Sequence, residues 1–297
     1  MTAPGRGPRR IGGRDFDFER QIAVMAIVNR TPDSFYDRGA TDSERRATEA
    51  ALAAAAAGAD WVDIGGVRFA PGPEVPLAEE LERVVPVVAA VSAASDVVIS
   101  VDTFRPEVAA AAVAAGASVV NDTTGLGDPR MAETVAAIGA TVVVTHSLAA
   151  ARTPLPGPAY RDVVDEVRAF LEARVERALA AGIAPERIVV DPGHDLNKST
   201  RHSLELTRRL DEIAALGLPL LVAVSNKDFV GETLGRDRHE RLAGTLAAAT
   251  LCVDRGARIL RMHNVAEAVD AARMVEAVMG WRAPAVERHN VAAGHGA

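Results

Sequence analysis

Four residues far apart in the chain, Asp102, Asn121, Asp191 and Lys227, carry between them two carboxylates, an amide and an ammonium group. Such a set addresses a flat ring that bears both hydrogen-bond donors and acceptors, and a pterin is a ring of that kind. Three others, Asn29, Arg261 and His263, suit an anionic group, since a side-chain carbonyl ligates a hard cation and two nitrogen donors meet phosphate oxygens. No Ser-His-Asp or Cys-His arrangement stands out, so the expected chemistry uses no protein nucleophile. The single Cys252 has no cysteine partner for a disulfide or a metal site, and its neighbours Leu251 and Val253 predict a buried structural thiol.

These residues fall in or just past short β-branched runs, and those runs are what must position them. The candidates are Ile22–Val28, Trp61–Ile64, Val97–Val101, Ser118–Asn121, Thr141–Thr145, Arg187–Val190, Leu218–Val224 and Arg258–Arg261. Longer alanine- and leucine-rich stretches separate them, closed by glycines such as Gly58, Gly116, Gly139 and Gly182, as helices are. Eight βα units favour a single (β/α)8 TIM barrel over an open doubly wound sheet. No G-x-G-x-x-G follows the first run, so dinucleotide binding has little support.

In such a barrel the residue past each strand's C-terminal end faces a common mouth. Read this way, the rim collects Asn29, Asp63, Asp102, Asn121, Asp122, His146, Asp191, Ser225, Asn226, Lys227, Arg261 and His263. Asp and Asn at these junctions also serve as helix caps, and for any one of them that alternative stays open. Capping explains Lys227, Arg261 and His263 poorly, because cations are disfavoured beside helix N-termini. His194, His202 and His239 read as solvated loop or helix-start histidines.

Residues 1–20, rich in Gly, Pro and Arg, read as a flexible tail, 21–280 as the barrel and 281–297 as a second tail. A net charge of -7 and a pI near 5.6 argue against non-specific nucleic-acid binding. The longest apolar run, 50–57, is far short of the roughly 20 residues of a membrane span. No secretory segment follows the N-terminal arginines, so the expected location is the cytoplasm.

Seven stretches carry a family resemblance: Met25-Ala-Ile-Val-Asn-Arg-Thr-Pro-Asp-Ser-Phe-Tyr-Asp37, Asp63-Ile-Gly-Gly66, Ser100-Val-Asp-Thr103, Val120-Asn-Asp122, Asp191-Pro-Gly193, Ser225-Asn-Lys227 and Arg261-Met-His263. In this order they resemble the signatures of dihydropteroate synthase, over nearly the whole barrel. The resemblance implies a TIM barrel, a homodimer and Mg2+. It also implies a reaction in which 6-hydroxymethyl-7,8-dihydropterin diphosphate and p-aminobenzoate give dihydropteroate and diphosphate. Matched position by position, the pterin contacts would be Asp102, Asn121, Asp191 and Lys227. Those for diphosphate and Mg2+ would be Asn29, Arg261 and His263, the metal on Asn29. The catalytic group would comprise Asn29, Lys227, Arg261 and His263.

The chain departs from the family on the aminobenzoate side. Where the family reads Gly-Gly-Glu-Ser-Thr-Arg-Pro-Gly, this chain reads Gly65-Gly66-Val67-Arg68-Phe69-Ala70-Pro71-Gly72, so Arg68 would have to replace the lost arginine from two positions earlier. The family's Ser-Arg-Lys-Ser becomes Ser225-Asn226-Lys227-Asp228, which sets an acid where the acceptor's carboxylate is held. Two carboxylates about 4 Å apart repel by on the order of 1 kcal/mol in water and by more where the dielectric is lower; the alternative is that Asp228 turns outward or caps a helix. Gly-Phe-Gly-Lys becomes Asp195-Leu196-Asn197-Lys198, thinning the aromatic wall at Leu196, while Arg30, Tyr36 and Arg38 add bulk and charge in the first loop. The combination is similar to the second, divergent dihydropteroate synthase paralogue of actinobacteria.

Two functions follow. One is a synthase with weak or altered aminobenzoate coupling. The other is a catalytically inactive pterin-binding paralogue that regulates or partners a true synthase. Pterin-dependent methyl transfer on a related barrel is the least supported, since no corrinoid-partner surface is visible.

Overall fold

The structure is a computed structural model that describes residues 7–30, 39–69 and 71–289, without the side chains of 39–42. Tyr36, Arg38 and Ala70 therefore lie outside the described residues. The chain opens with β1 (Arg9–Ile11) and β2 (Arg14–Phe16), followed by β3 (Ala23–Asn29), α1 (Gly39–Ala56), β4 (Trp61–Gly65), α2 (Leu77–Ala94), β5 (Val98–Asp102), α3 (Pro106–Ala114), β6 (Val119–Asp122) and α4 (Pro129–Ile138). It continues with β7 (Thr141–Thr145), α5 (Val163–Ala180), β8 (Ile188–Asp191), α6 (Thr200–Arg208), α7 (Leu210–Ala214), β9 (Leu221–Val222), α8 (Asp228–Leu234), α9 (Leu242–Asp254), β10 (Ile259–Met262) and α10 (Val265–Val278).

Strands β3 to β10 form one parallel sheet in the order β8-β7-β6-β5-β4-β3-β10-β9. Its edges meet through a bridge between Val190 and Leu220 and a bond from the Val190 amide to the Pro219 carbonyl at 3.0 Å. Eight strands with helices outside make the TIM barrel expected from the alternating runs. Strand residues alternate between two faces. Outward Val24, Val62, Ile99, Val120, Val142 and Leu260 pack under the helices.

Inward residues divide by height. The strand starts contribute Trp61, Val98, Val119 and Ile259, an apolar layer. Two residues further along each of these strands the same face carries Asp63, Ser100, Asn121 and Arg261, a polar layer. Parity alone thus stacks the site directly on the core.

Within the expected tail, residues 7–20 are structured. Gly12 (φ 56°) and Gly13 (φ 79°) make the left-handed two-residue turn that joins β1 to β2 as an antiparallel hairpin. Ile11, Phe16 and Phe18 bury against the apolar layer, with Phe16 stacked on Phe18 at 5.6 Å and edge-on to Trp61 at 5.7 Å. The hairpin therefore plugs the N-terminal end of the barrel. Its Gly- and Arg-rich composition hid three apolar residues, enough to seal that end. At the other terminus Trp281 is docked, with the Arg258 guanidinium 4.7 Å from its ring. Cys252 is buried, as expected. Among the described residues no helix is long and apolar enough to cross a membrane.

Candidate functional site

The polar layer is organised by Asp63, whose side chain is 0 % exposed. It accepts from Ser100 Oγ at 2.6 Å, Asn121 Nδ2 at 2.9 Å and Arg261 Nε at 2.6 Å. Arg261 Nη2 reaches Asp102 at 2.9 Å, so one guanidinium is shared by two carboxylates. Asp63 and Asp102 hold Arg261 firmly cationic against the effect of its own burial. Burial in turn pushes Asp102 up to about 7 against the pull of Arg261, with Asp63, Glu80 and Asp122 adding to the rise.

Above this layer opens a cavity of about 580 Å3, lined among others by Asn29, Asp102, Asn121, Thr145, Asp191 and Lys227. The four residues expected to hold a flat ring thus face one space. Asp191 accepts the Gly193 amide at 2.7 Å; burial raises its carboxyl to about 6 against that bond and the nearby Lys227, Arg261 and Lys198. Burial lowers the Lys227 ammonium, against Asp195 and Asp191. Two buried oxygens here, Asn121 Oδ1 and Thr145 Oγ1, have no hydrogen-bond partner among the described residues. Buried polar atoms are paired in most proteins, so an unpaired couple lining a cavity marks where a ligand supplies the partner.

The expected separate anion subsite is not separate, because Arg261 belongs to the Asp63 network below the ring-sized cavity. His263 is exposed at the rim, its Nδ1 3.0 Å from Ser225 Oγ. Asn29 also lines the cavity. A Cβ on Gly65 would meet Asn29 Oδ1 and Asp102 Cβ at 3.3 Å, so the glycine keeps open the space beside that amide oxygen. A neutral oxygen next to a carboxylate fits Mg2+, which binds through few protein ligands and substrate phosphates. Among the described residues no cluster of three His, Cys, Asp or Glu forms a protein-only metal site.

A second pocket of about 560 Å3 adjoins the first, sharing Phe69, Leu196, Lys227, Arg238, Arg261 and His263, and adding Pro71, Asn226 and Asp228. Here the sequence changes have structural answers. Arg68 lines only the first pocket. The stretch around it is pinned by Arg152, which donates to the carbonyls of Arg68 at 2.7 Å and Pro73 at 3.0 Å. Arg30 turns away from the mouth, bonding Ser43 and the carbonyls of Glu82 and Arg83.

Asp228 is not a bare carboxylate aimed at an acceptor. Its side chain is 81 % exposed and pairs with Arg241 Nη1 at 2.9 Å, in line with the outward alternative. The acid that does matter is Asp195. It sits at φ 64°, the left-handed region that favours glycine, as does Asn197 at φ 53°. The Asp195 carboxylate accepts the backbone amides of Asp228 at 2.6 Å and Phe229 at 3.3 Å, while its other oxygen accepts Ser203 Oγ at 2.9 Å. Asn197 Oδ1 accepts from Ser147 Oγ and the amides of Leu148 and Ala149. The two side chains therefore staple the loop after β8 to its neighbours.

Sequence reasoning placed Asp63 and Asp195 without a role and passed over Thr145 and Arg238. Strand parity would have found Asp63 and Thr145, which share the inward face with Trp61 and Val143. His194 is also corrected: it is buried, 3.1 Å from Thr207 Oγ1 and stacked on Phe229. His202 closes a capping box with Ser199 at the start of α6.

A TIM barrel with two acids, an amide and a lysine around one cavity, and a guanidinium beneath it, has the architecture of pterin-binding enzymes. The comparisons agree: residues 25–263 match the model of the pterin binding enzyme family, and the chain belongs to that family as a dihydropteroate synthase-like protein. It is 47% identical over 278 residues to the "Inactive dihydropteroate synthase 2" of Mycobacterium leprae, covering 92% of this chain and 95% of that one. To the dihydropteroate synthase of Escherichia coli K12 it is 40% identical over 257 residues, covering 86% and 91%. The Xanthomonas albilineans dihydropteroate synthase solved with 4-aminobenzoic acid superposes with a TM-score of 0.85 at 41% identity, covering 92% and 98%. The fold is thus that of a transferase family.

Proposed function

We propose that this chain binds 6-hydroxymethyl-7,8-dihydropterin diphosphate and couples it to p-aminobenzoate weakly or not at all. The observation that carries the pterin half is the pair of unpartnered buried oxygens, Asn121 Oδ1 and Thr145 Oγ1, in a cavity faced by Asp102, Asp191 and Lys227. Carboxylates accept the ring's N–H groups, while Lys227 and the Thr145 hydroxyl donate to its acceptors. Asn29, Arg261 and His263 take the diphosphate, and Asn29 Oδ1 is the protein ligand to Mg2+. The metal, when bound, neutralises charge on the leaving group. In a catalytic cycle the methylene–oxygen bond breaks, diphosphate leaves, and an amine nitrogen forms the new bond and loses a proton. Arg261 and Lys227 stabilise the departing charge.

The acceptor half supports the weak-coupling reading. The amides of Asp228 and Phe229 are already taken by the chain's own carboxylate, Asp195. A non-catalytic pterin-binding role is the second reading, favoured by the 47% identical relative named inactive. Large apolar residues exposed on α9 and α10, Leu251, Met274 and Val278, support a homodimer through these helices. The setting is the cytoplasm, where folate precursors are made.

Calorimetry with the pterin diphosphate and Mg2+, followed by p-aminobenzoate and product analysis, tests the proposal. Tight pterin binding without dihydropteroate supports it. Rapid dihydropteroate formation removes the weak-coupling half, and absent pterin binding removes the whole.

A further inference from the structure

The floor of the site is poorly charged for an ester carrying diphosphate. Three carboxylates, Asp63, Asp102 and Asp191, stand there against Arg261 and Lys227, and two nitrogens of Arg261 are committed to Asp63 and Asp102. Partial desolvation at the rim, then Arg261, Arg238 and Lys227, lower the His263 imidazole, so a further cation there is disfavoured. A polyanion arriving here needs a cation that the floor does not commit elsewhere.

Arg238 is such a cation. It is exposed, it lines both pockets, and among the described residues its guanidinium has no hydrogen bond or ion pair. Its backbone is nonetheless fixed: Arg236 donates its amide to Gly231 at 2.9 Å and pairs with Glu240 at 3.6 Å, and Glu240 closes a capping box on Asp237. Arg241 Nε holds the Arg236 carbonyl at 3.2 Å. The fixed stem spares the cost of ordering the backbone on ligand capture, leaving that of the side chain. Arg68 is the less suited alternative, because it lines only one of the pockets and already has an interaction of its own.

We infer that Arg238 is the phosphate clamp of this site, closing on the diphosphate from the β9 side in place of the arginine missing from the loop after β4. This rests on the pterin diphosphate reading above. Arginine suits the task because its planar fork binds phosphate oxygens in pairs.

The test is calorimetry of the full chain with Mg2+ and two probes, 6-hydroxymethyl-7,8-dihydropterin and its diphosphate ester. In Arg238→Ala the ester's Kd rises by about tenfold or more, the usual effect of losing a charge-assisted bond. The alcohol's Kd stays unchanged, which also reports an intact fold. Arg238→Lys recovers part of the loss, and Arg168→Ala, a charge removed from the exposed face of α5, has no effect. An ester Kd in Arg238→Ala equal to wild type overturns the clamp while leaving pterin binding intact. Equal losses for both probes also overturn it, since the effect would not involve phosphate. If wild type binds neither probe, the pterin reading falls and the clamp with it.

Discussion

Replacing Asp63 by alanine would remove a fully buried carboxylate to which three side chains donate. Arg261 would keep Asp102, but Asn121 Nδ2 and Ser100 Oγ would be left without the acceptor they face. Breaking a buried ion pair by deleting one member costs about 3–5 kcal/mol, because the surviving charge stays buried. Asp63→Asn is different. Its amide oxygen can still accept from Arg261 and Asn121 while its NH2 donates to Ser100 Oγ, so only the difference between charged and neutral bonds is lost, about 1–2 kcal/mol. Equilibrium urea unfolding followed by circular dichroism measures both variants. Calorimetry with the dihydropterin should show about a tenfold loss for Asp63→Ala, equivalent to roughly 1.4 kcal/mol, since Asn121 is no longer held in place, and a smaller loss for Asp63→Asn. An alanine variant within about 0.5 kcal/mol of wild type, the range of an unremarkable surface change, would refute the idea that Asp63 organises the floor.

Further outcomes follow from the same geometry. Asp102, held at about 7, must shed its proton to accept ring N–H groups, so dihydropterin affinity falls about tenfold per pH unit below that value; a flat calorimetric profile between pH 8 and pH 6 would contradict this. Because its folded pKa lies above the unfolded value of about 4, stability runs the other way and declines as pH rises from about 4 to 7. Asp195→Gly, at a backbone angle glycine adopts freely, frees the amides of Asp228 and Phe229; in the presence of the pterin diphosphate it should bind p-aminobenzoate measurably better than wild type, and unchanged binding would clear Asp195 of blame. Phe16→Ala should cost about 3–5 kcal/mol by opening the plug, with dihydropterin affinity unaltered; a change in affinity would show that the two ends of the barrel communicate.

The barrel was legible because its strands are short β-branched runs and its helices end in glycines such as Gly139, left-handed at the end of α4. That Asp102, Asn121, Asp191 and Lys227 face one cavity was legible because they sit at strand ends, where topology dictates direction. Asp63 lies mid-strand, and its role depends on Arg261, 198 positions later, so no local pattern shows it. Asp228 looked decisive from its type alone, yet Arg241, folded back from beyond α8, cancels its charge. Asp195 escaped notice for the opposite reason: its effect comes from a left-handed backbone that carries its carboxylate to amides 33 and 34 positions away.

The plug sets a schedule for the chain's own birth. Ile11, Phe16 and Phe18 leave the ribosome well before their partners, since the layer they seal includes Val189, Leu221 and Ile259, and Arg9 bonds the carbonyls of Glu186 and Ile188. At about 5–20 residues per second, those partners are on the order of tens of seconds behind. Throughout that interval three large apolar side chains of the nascent chain are uncovered, a natural handle for chaperones. A segment made early is thus among the last to find its place.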